Sequence, residues 1–101
     1  MADLLFVCAT FQFSSDIAAA GKKVFTYFMT HDPSSSMLGD ELSWLGPIHA
    51  EDIPYVLGSP FLKEKEDDDV LMYGHFNEEE IEMSQQVMRY WSNFAKTGYV
   101  Q

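Results

Sequence analysis

Apolar positions along the chain fall into two helical stretches, separated by one run that is apolar on both faces. From Asp3 to Ala20, Leu4, Leu5, Val7, Cys8 and Phe11 lead into Ala18, Ala19 and Ala20, which predicts a helix. Gly21 then stands where a helix C-cap belongs. Val24 to Thr30 reads Val-Phe-Thr-Tyr-Phe-Met-Thr, β-branched and aromatic on both sides. Such a run predicts a strand buried between layers, as in a mainly parallel sheet covered by helices. Asp32 to Asp40 is rich in Ser, Asp, Pro and Gly and reads as a loop. In Asp52-Ile53-Pro54 an N-cap precedes a proline in the first turn, so a short helix is expected through about Leu57. Gly58-Ser59-Pro60 stops it, and Lys63 to Asp69 reads as an exposed acidic loop.

The last element has the fullest set of signals. Asn77 can cap a helix, Glu80 three residues on completes a capping-box pattern, and Glu78 and Glu79 suit the positive end of the helix dipole. Ile81, Met88, Trp91 and Ala95, with Val87 and Phe94 beside them, form an apolar stripe at helical spacing, read as a packing face. Lys96 falls in the last turn and Gly98 follows as a C-cap. The order helix, strand, loop, short helix, amphipathic helix suits the end of an α/β domain. One strand cannot make a sheet, because its hydrogen-bonding edges need neighbours. The chain is therefore expected to be part of a domain and not a complete one.

Composition narrows the function. With 101 residues there is room for one small domain at most, and 47% hydrophobic and 15% aromatic content is too apolar for a disordered tail. A net charge of −10 argues against a nucleic-acid partner, which would need clustered Lys and Arg. The acidic runs at 64–69 and 78–82 read as solvated surface. Cys8 is the single cysteine, so any disulfide must reach a residue outside this sequence. Met1 to Ala9 lacks the basic leader and long apolar core of a signal peptide, and no run approaches the roughly 20 apolar residues of a membrane span.

Chemistry has few candidate carriers. His31 ends the apolar run, His49 lies between Trp44 and Asp52, and His75 follows the acidic loop. By themselves all three read as structural or surface groups. Zinc-ligand spacing is absent, and Asp67-Asp68-Asp69 lacks the alternation and closing glutamate of a calcium loop, so neither a metal nor a cofactor is implied. No Gly-x-Ser-x-Gly occurs, and no glycine-rich oxyanion loop.

Four segments, taken together, carry a resemblance. They are Phe6-Val7-Cys8, then Val24-Phe25-Thr26-Tyr27-Phe28 with His31 after it, then Trp44 to Gly58 around Gly46 and His49, and finally Tyr90-Trp91-Ser92-Asn93-Phe94-Ala95-Lys96-Thr97-Gly98. In this order they resemble the late part of the type-B carboxylesterase and cholinesterase family and cover most of the chain. The resemblance implies a partial α/β-hydrolase fold, with a late strand, a histidine loop and C-terminal helices, spanning residues 1–101 as a C-terminal fragment of the domain. It also implies that His49 is the triad histidine, the general base for a serine lying outside this sequence. The implied partners are a small-molecule ester substrate of the full-length parent, the missing N-terminal part of the same domain, and a disulfide from Cys8 to a residue outside the fragment. The implied location is extracellular, secreted or anchored at the cell surface.

On the same resemblance Asp52 is expected to cap the helix that holds the histidine loop, Trp44 to pack under that loop, and Gly46 to permit its turn. Ala50 replaces the glycine that usually follows the histidine, which suits only a backbone without positive φ. Glu51 stands near a position that cholinesterases use to line a choline pocket, a departure from cholinesterase specificity. The family also contains neuroligin-like and gliotactin-like adhesion proteins that keep the fold without a working triad. Esterase and adhesion protein are thus both open, and an independent acidic helical module binding through Trp91 and Phe94 is a third, unrelated reading.

Overall fold

The computed structural model describes residues 3–34, 40–62 and 75–101. Helix α1, Cys8–Ala19, continues from a wider π-helical lead-in, Asp3–Val7. It ends as the sequence predicts. Gly21 takes φ +75°, its amide donates to Ala18 O, and the Lys22 amide donates to Ile17 O, which together form a Schellman motif. A 3₁₀ helix at Asp40–Leu45 comes next, then α2 at Ile53–Leu57, a 3₁₀ turn at Ser59–Phe61, and α3 at Glu78–Thr97. The predicted loop at 32–40 is irregular at 32–34, while Asp40 already belongs to the 3₁₀ helix. The predicted acidic loop at 63–69 lies outside the described residues.

Helix α3 carries the arrangement. Its capping box is complete: the Glu80 amide donates to Asn77 Oδ1 at 2.9 Å and the Asn77 amide donates to Glu80 Oε2 at 2.8 Å. Gly98 closes the far end in the left-handed region. Against its first turns lies α2, held by a hydrogen bond from Ser84 Oγ to Tyr55 O at 2.8 Å.

The strand expected at Val24–Thr30 does not form: among the described residues there is no strand, and residues 22–33 have no regular secondary structure. A strand is stabilised by a ladder to a neighbour, and no described residue supplies one. Its side-chain alternation is nevertheless kept. Phe25 meets Phe94 edge-on at 5.8 Å, Tyr27 meets Trp91 at 6.2 Å, and His31 reaches Glu80, so the odd-numbered positions face α3. At the start of the segment, Lys23 Nζ sits 3.6 Å from the centre of the Tyr99 ring. Nor is the segment buried between layers, since Phe25, Tyr27 and Phe28 are 45%, 56% and 61% exposed.

The apolar stripe of α3 is only partly a packing face. Ile81, Val87 and Met88 are half-buried, whereas Trp91 and Phe94 stay about half exposed over a groove of ≈ 560 Å³ shared with residues 25–28. The fully buried positions of α3 are instead the polar Glu80 and Ser84. Among the described residues Tyr55 is the one large apolar side chain that is fully buried, at 2% exposure.

Two glycines give a test of this packing. Gly21 and Gly58 both take positive φ, +75° and +77°, but a Cβ at Gly21 would meet nothing while one at Gly58 would lie 2.8 Å from Met88 Sδ. Gly21→Ala should cost about 1 kcal/mol from backbone strain alone. Gly58→Ala should cost measurably more in denaturant unfolding of the native polypeptide, and equal losses would mean that Met88 yields without resistance.

Candidate functional site

The His49 segment is a turn closed on itself. The Glu51 amide donates to Ile48 O at 3.3 Å, and the Ile48 amide donates to Glu51 Oε2 at 2.8 Å, so two opposed hydrogen bonds bracket His49 and Ala50. Ala50 takes φ +76°, the left-handed value that the third position of a type II turn requires. The sequence reading admitted Ala here only if the backbone avoided that region, and the structure places it there. Gly46, just upstream, also turns at positive φ, as expected. The Ile53 amide donates to Ala50 O at 3.1 Å and starts α2 directly from the turn.

His49 itself is exposed. Its ring stacks on Phe6 from the lead-in to α1, with centroids 4.1 Å apart and planes 11° apart. Among the described residues no hydrogen bond or ion pair engages its two nitrogens. Trp44 does not pack beneath this turn: it stands 77% exposed on the 3₁₀ helix.

Asp52 precedes α2 as expected but does not cap it with its side chain. Its backbone is already helical, and Oδ2 is occupied by the Tyr27 hydroxyl, which donates to it at 2.5 Å. Burial pushes the Tyr27 hydroxyl up to about 12, and the hydrogen bond to the charged Asp52 carboxylate adds to it. Asp52 thus ties the 22–33 segment to the end of the histidine turn, a contact 25 residues long in sequence.

Behind α2 lies a second polar centre, which sequence reasoning did not find. The fully buried Glu80 carboxylate accepts hydrogen bonds from the Ser34 amide at 2.7 Å, the Ser34 hydroxyl, the Asn77 amide and the Tyr55 hydroxyl at 3.1 Å. His31 Nε2 lies 3.0 Å from Oε1. Burial pushes the Glu80 carboxyl up, but the bonds from Ser34, His31 and Asn77 outweigh it and hold the group down at about 2. Burial and the Glu80 charge together push the Tyr55 hydroxyl well above its ordinary value. The one signal of Glu80 in the sequence is the capping box, which predicts a surface role at a helix end.

The three histidines therefore separate. His31 belongs to the Glu80 cluster, the His75 carbonyl lies 2.9 Å from the Ser34 hydroxyl oxygen, and among the described residues His49 alone presents its ring on a clamped turn. Among the described residues no group of His, Cys, Asp and Glu could hold a metal. Cys8 is exposed with a free thiol at the start of α1.

A model of the carboxylesterase family matches residues 1–100. The chain belongs to the carboxylesterase family.

Family membership brings the α/β-hydrolase fold class with it, although the described residues show only helical elements of it. Over 96 residues, 95% of the chain, it is 38% identical to an acetylcholinesterase of Leptinotarsa decemlineata, of which it covers 13%. It is 36% identical to a medium-chain fatty acyl-CoA hydrolase precursor of Anas platyrhynchos over 97% of the chain and 16% of that protein. With carboxylesterase 3B of Mus musculus the identity is 35%, over 97% of the chain and 17% of the relative. The chain thus spans less than a fifth of the length of these curated relatives. No solved structure matches it at a significant level.

The Glu80 cluster has a pH signature. Its carboxyl is lowered in the fold from 4.5 to about 2, so the unfolded chain takes up a proton at higher pH than the folded one. The stabilisation is complete above about 4.5 and disappears as pH falls towards 2. Unfolding followed across this range should show Glu80→Gln less stable at neutral pH, with a flatter dependence below pH 4.5 than the unaltered protein. Parallel curves would show that the cluster does not hold the fold.

Proposed function

We propose that this chain supplies the general base of a serine carboxylic-ester hydrolase, with His49 as that base. It would be the late portion of a domain whose nucleophile, triad acid and oxyanion donors lie in other residues of the same polypeptide. The observation that carries the reading is the state of His49: an exposed imidazole on a doubly clamped turn, with neither ring nitrogen committed to a described partner. His31, by contrast, is held by a buried carboxylate, as a structural histidine would be.

In the proposed mechanism His49 takes the proton of a serine hydroxyl as the oxygen attacks the ester carbonyl. It then gives that proton to the departing alcohol, leaving an acyl-enzyme. Water repeats the sequence and frees the acid. The relatives' names support acyl hydrolysis: an acetylcholinesterase, a fatty acyl-CoA hydrolase and a carboxylesterase. They do not agree on one substrate, so the reading extends to a carboxylic ester and no further. The same reading makes the 22–33 segment a sheet strand once its neighbours are present, and the protein secreted or held at the cell surface. The exposed Cys8 thiol would then pair with a cysteine elsewhere in the polypeptide.

The test uses the native polypeptide that contains this sequence, assayed on a simple ester. His49→Ala should lower kcat/KM by about 10⁴-fold or more, since loss of a triad histidine removes the base and acid together. A loss under about tenfold would end the proposal. No ester hydrolysis by the unaltered protein, with the serine of Gly-x-Ser-x-Gly replaced, would turn the reading to a non-catalytic adhesion protein of the same family.

A further inference from the structure

The turn that presents His49 is closed more firmly than chain reversal requires. The backbone bond from the Glu51 amide to Ile48 O would close it alone. The second bond, from the Ile48 amide to Glu51 Oε2 at 2.8 Å, uses a carboxylate that is only 3% exposed. Burying a carboxylate is unfavourable unless hydrogen bonds compensate it, and this one accepts a bond from the amide next to His49.

Ala50 shows why such a clamp is needed. An alanine at φ +76° carries backbone strain, relieved by returning φ to negative values. Such a conformation persists where the surroundings over-determine it. Relaxation would rotate the peptide between His49 and Ala50 and swing the Cα–Cβ bond of His49 away. Two contacts oppose that motion: Ile53 N–H to Ala50 O at 3.1 Å on the helix side, and the Glu51 carboxylate on the Ile48 side. The Phe6 stack restrains only the ring, and leaves the backbone free to move beneath it.

We propose that Glu51 is a positioning residue for His49: its buried carboxylate, clasped on the Ile48 amide, holds the strained turn that aims the imidazole. Its side chain folds back into the turn, at a position the sequence reading marked only as a departure from cholinesterase specificity. The inference rests on the esterase reading of His49 and adds to it a residue outside the triad.

The test compares Glu51→Ala, Glu51→Asp and Glu51→Gln in the native polypeptide, with kcat expressed per titrated active site. Gln keeps an oxygen at the same reach and can still accept the Ile48 N–H, while Asp keeps the charge but is one methylene short. Ala and Asp should each lower kcat by about 100-fold with KM changed little, because a displaced base loses orientation and not substrate. Gln should recover most of that loss. If Ala yields no folded protein, the contrast between Asp and Gln decides. Unchanged kcat across the series overturns the proposal, as does Gln failing alongside Ala and Asp. A fall in active-site titre and melting temperature at constant kcat per site also overturns it. A flat Glu51 series in an enzyme that His49→Ala inactivates removes this inference alone; an enzyme indifferent to His49→Ala removes the esterase reading beneath it.

Discussion

The arrangement depends first on one buried carboxylate. Glu80 leaves the surface role its capping box implies and gathers His31 and Ser34 from one stretch of chain and Tyr55 from another onto the first turn of α3. A carboxylate inside a protein is expensive to leave unpaired, and here the pairing groups all come from outside its own helix except the capping amide. That makes the cluster a cooperative joint: loss of any one donor leaves a buried charge less well satisfied. It accounts for a buried polar residue at the start of α3.

From that joint the histidine turn is held at one remove. Tyr55 belongs to α2, α2 starts at the carbonyl of Ala50, and Ser84 fixes the Tyr55 carbonyl to α3. A second tie, Tyr27 to Asp52, reaches the turn from the 22–33 segment. His49 is thus placed by hydrogen bonds that run through backbone and buried side chains, with one aromatic contact on its ring among the described residues. Rigid presentation of an uncommitted imidazole is what a general base requires, because a proton must pass at hydrogen-bond distance in a set direction.

Apolar faces stand open among the described residues. Phe25, Tyr27 and Phe28 keep strand-like alternation without a ladder, and Tyr90, Trp91 and Phe94 border an open groove beside them. Surfaces of this kind are covered in folded proteins, since each exposed aromatic forfeits its share of burial. The chain spans less than a fifth of its relatives' length, and on the proposed reading such a cover lies elsewhere in the polypeptide.

The sequence by itself determined the local elements whose causes are local. Asn77 and Glu80 mark the start of α3, Gly98 its end, Gly21 the end of α1, and Pro54 with Gly58 the limits of α2, because capping and turn chemistry act within a few residues. The pattern of residues around His49 also singled it out as the candidate base, a role that stands as a proposal. Tertiary structure alone decided the rest. Whether Val24–Thr30 forms a ladder depends on neighbours and not on its own composition. Asp52 turned from a cap to a partner of Tyr27, Trp44 stayed at the surface, and Glu51 folded back on Ile48. The Asp52 outcome turns on a hydroxyl arriving from 25 residues away within hydrogen-bond distance of its carboxylate, and spacing along the chain does not carry that information.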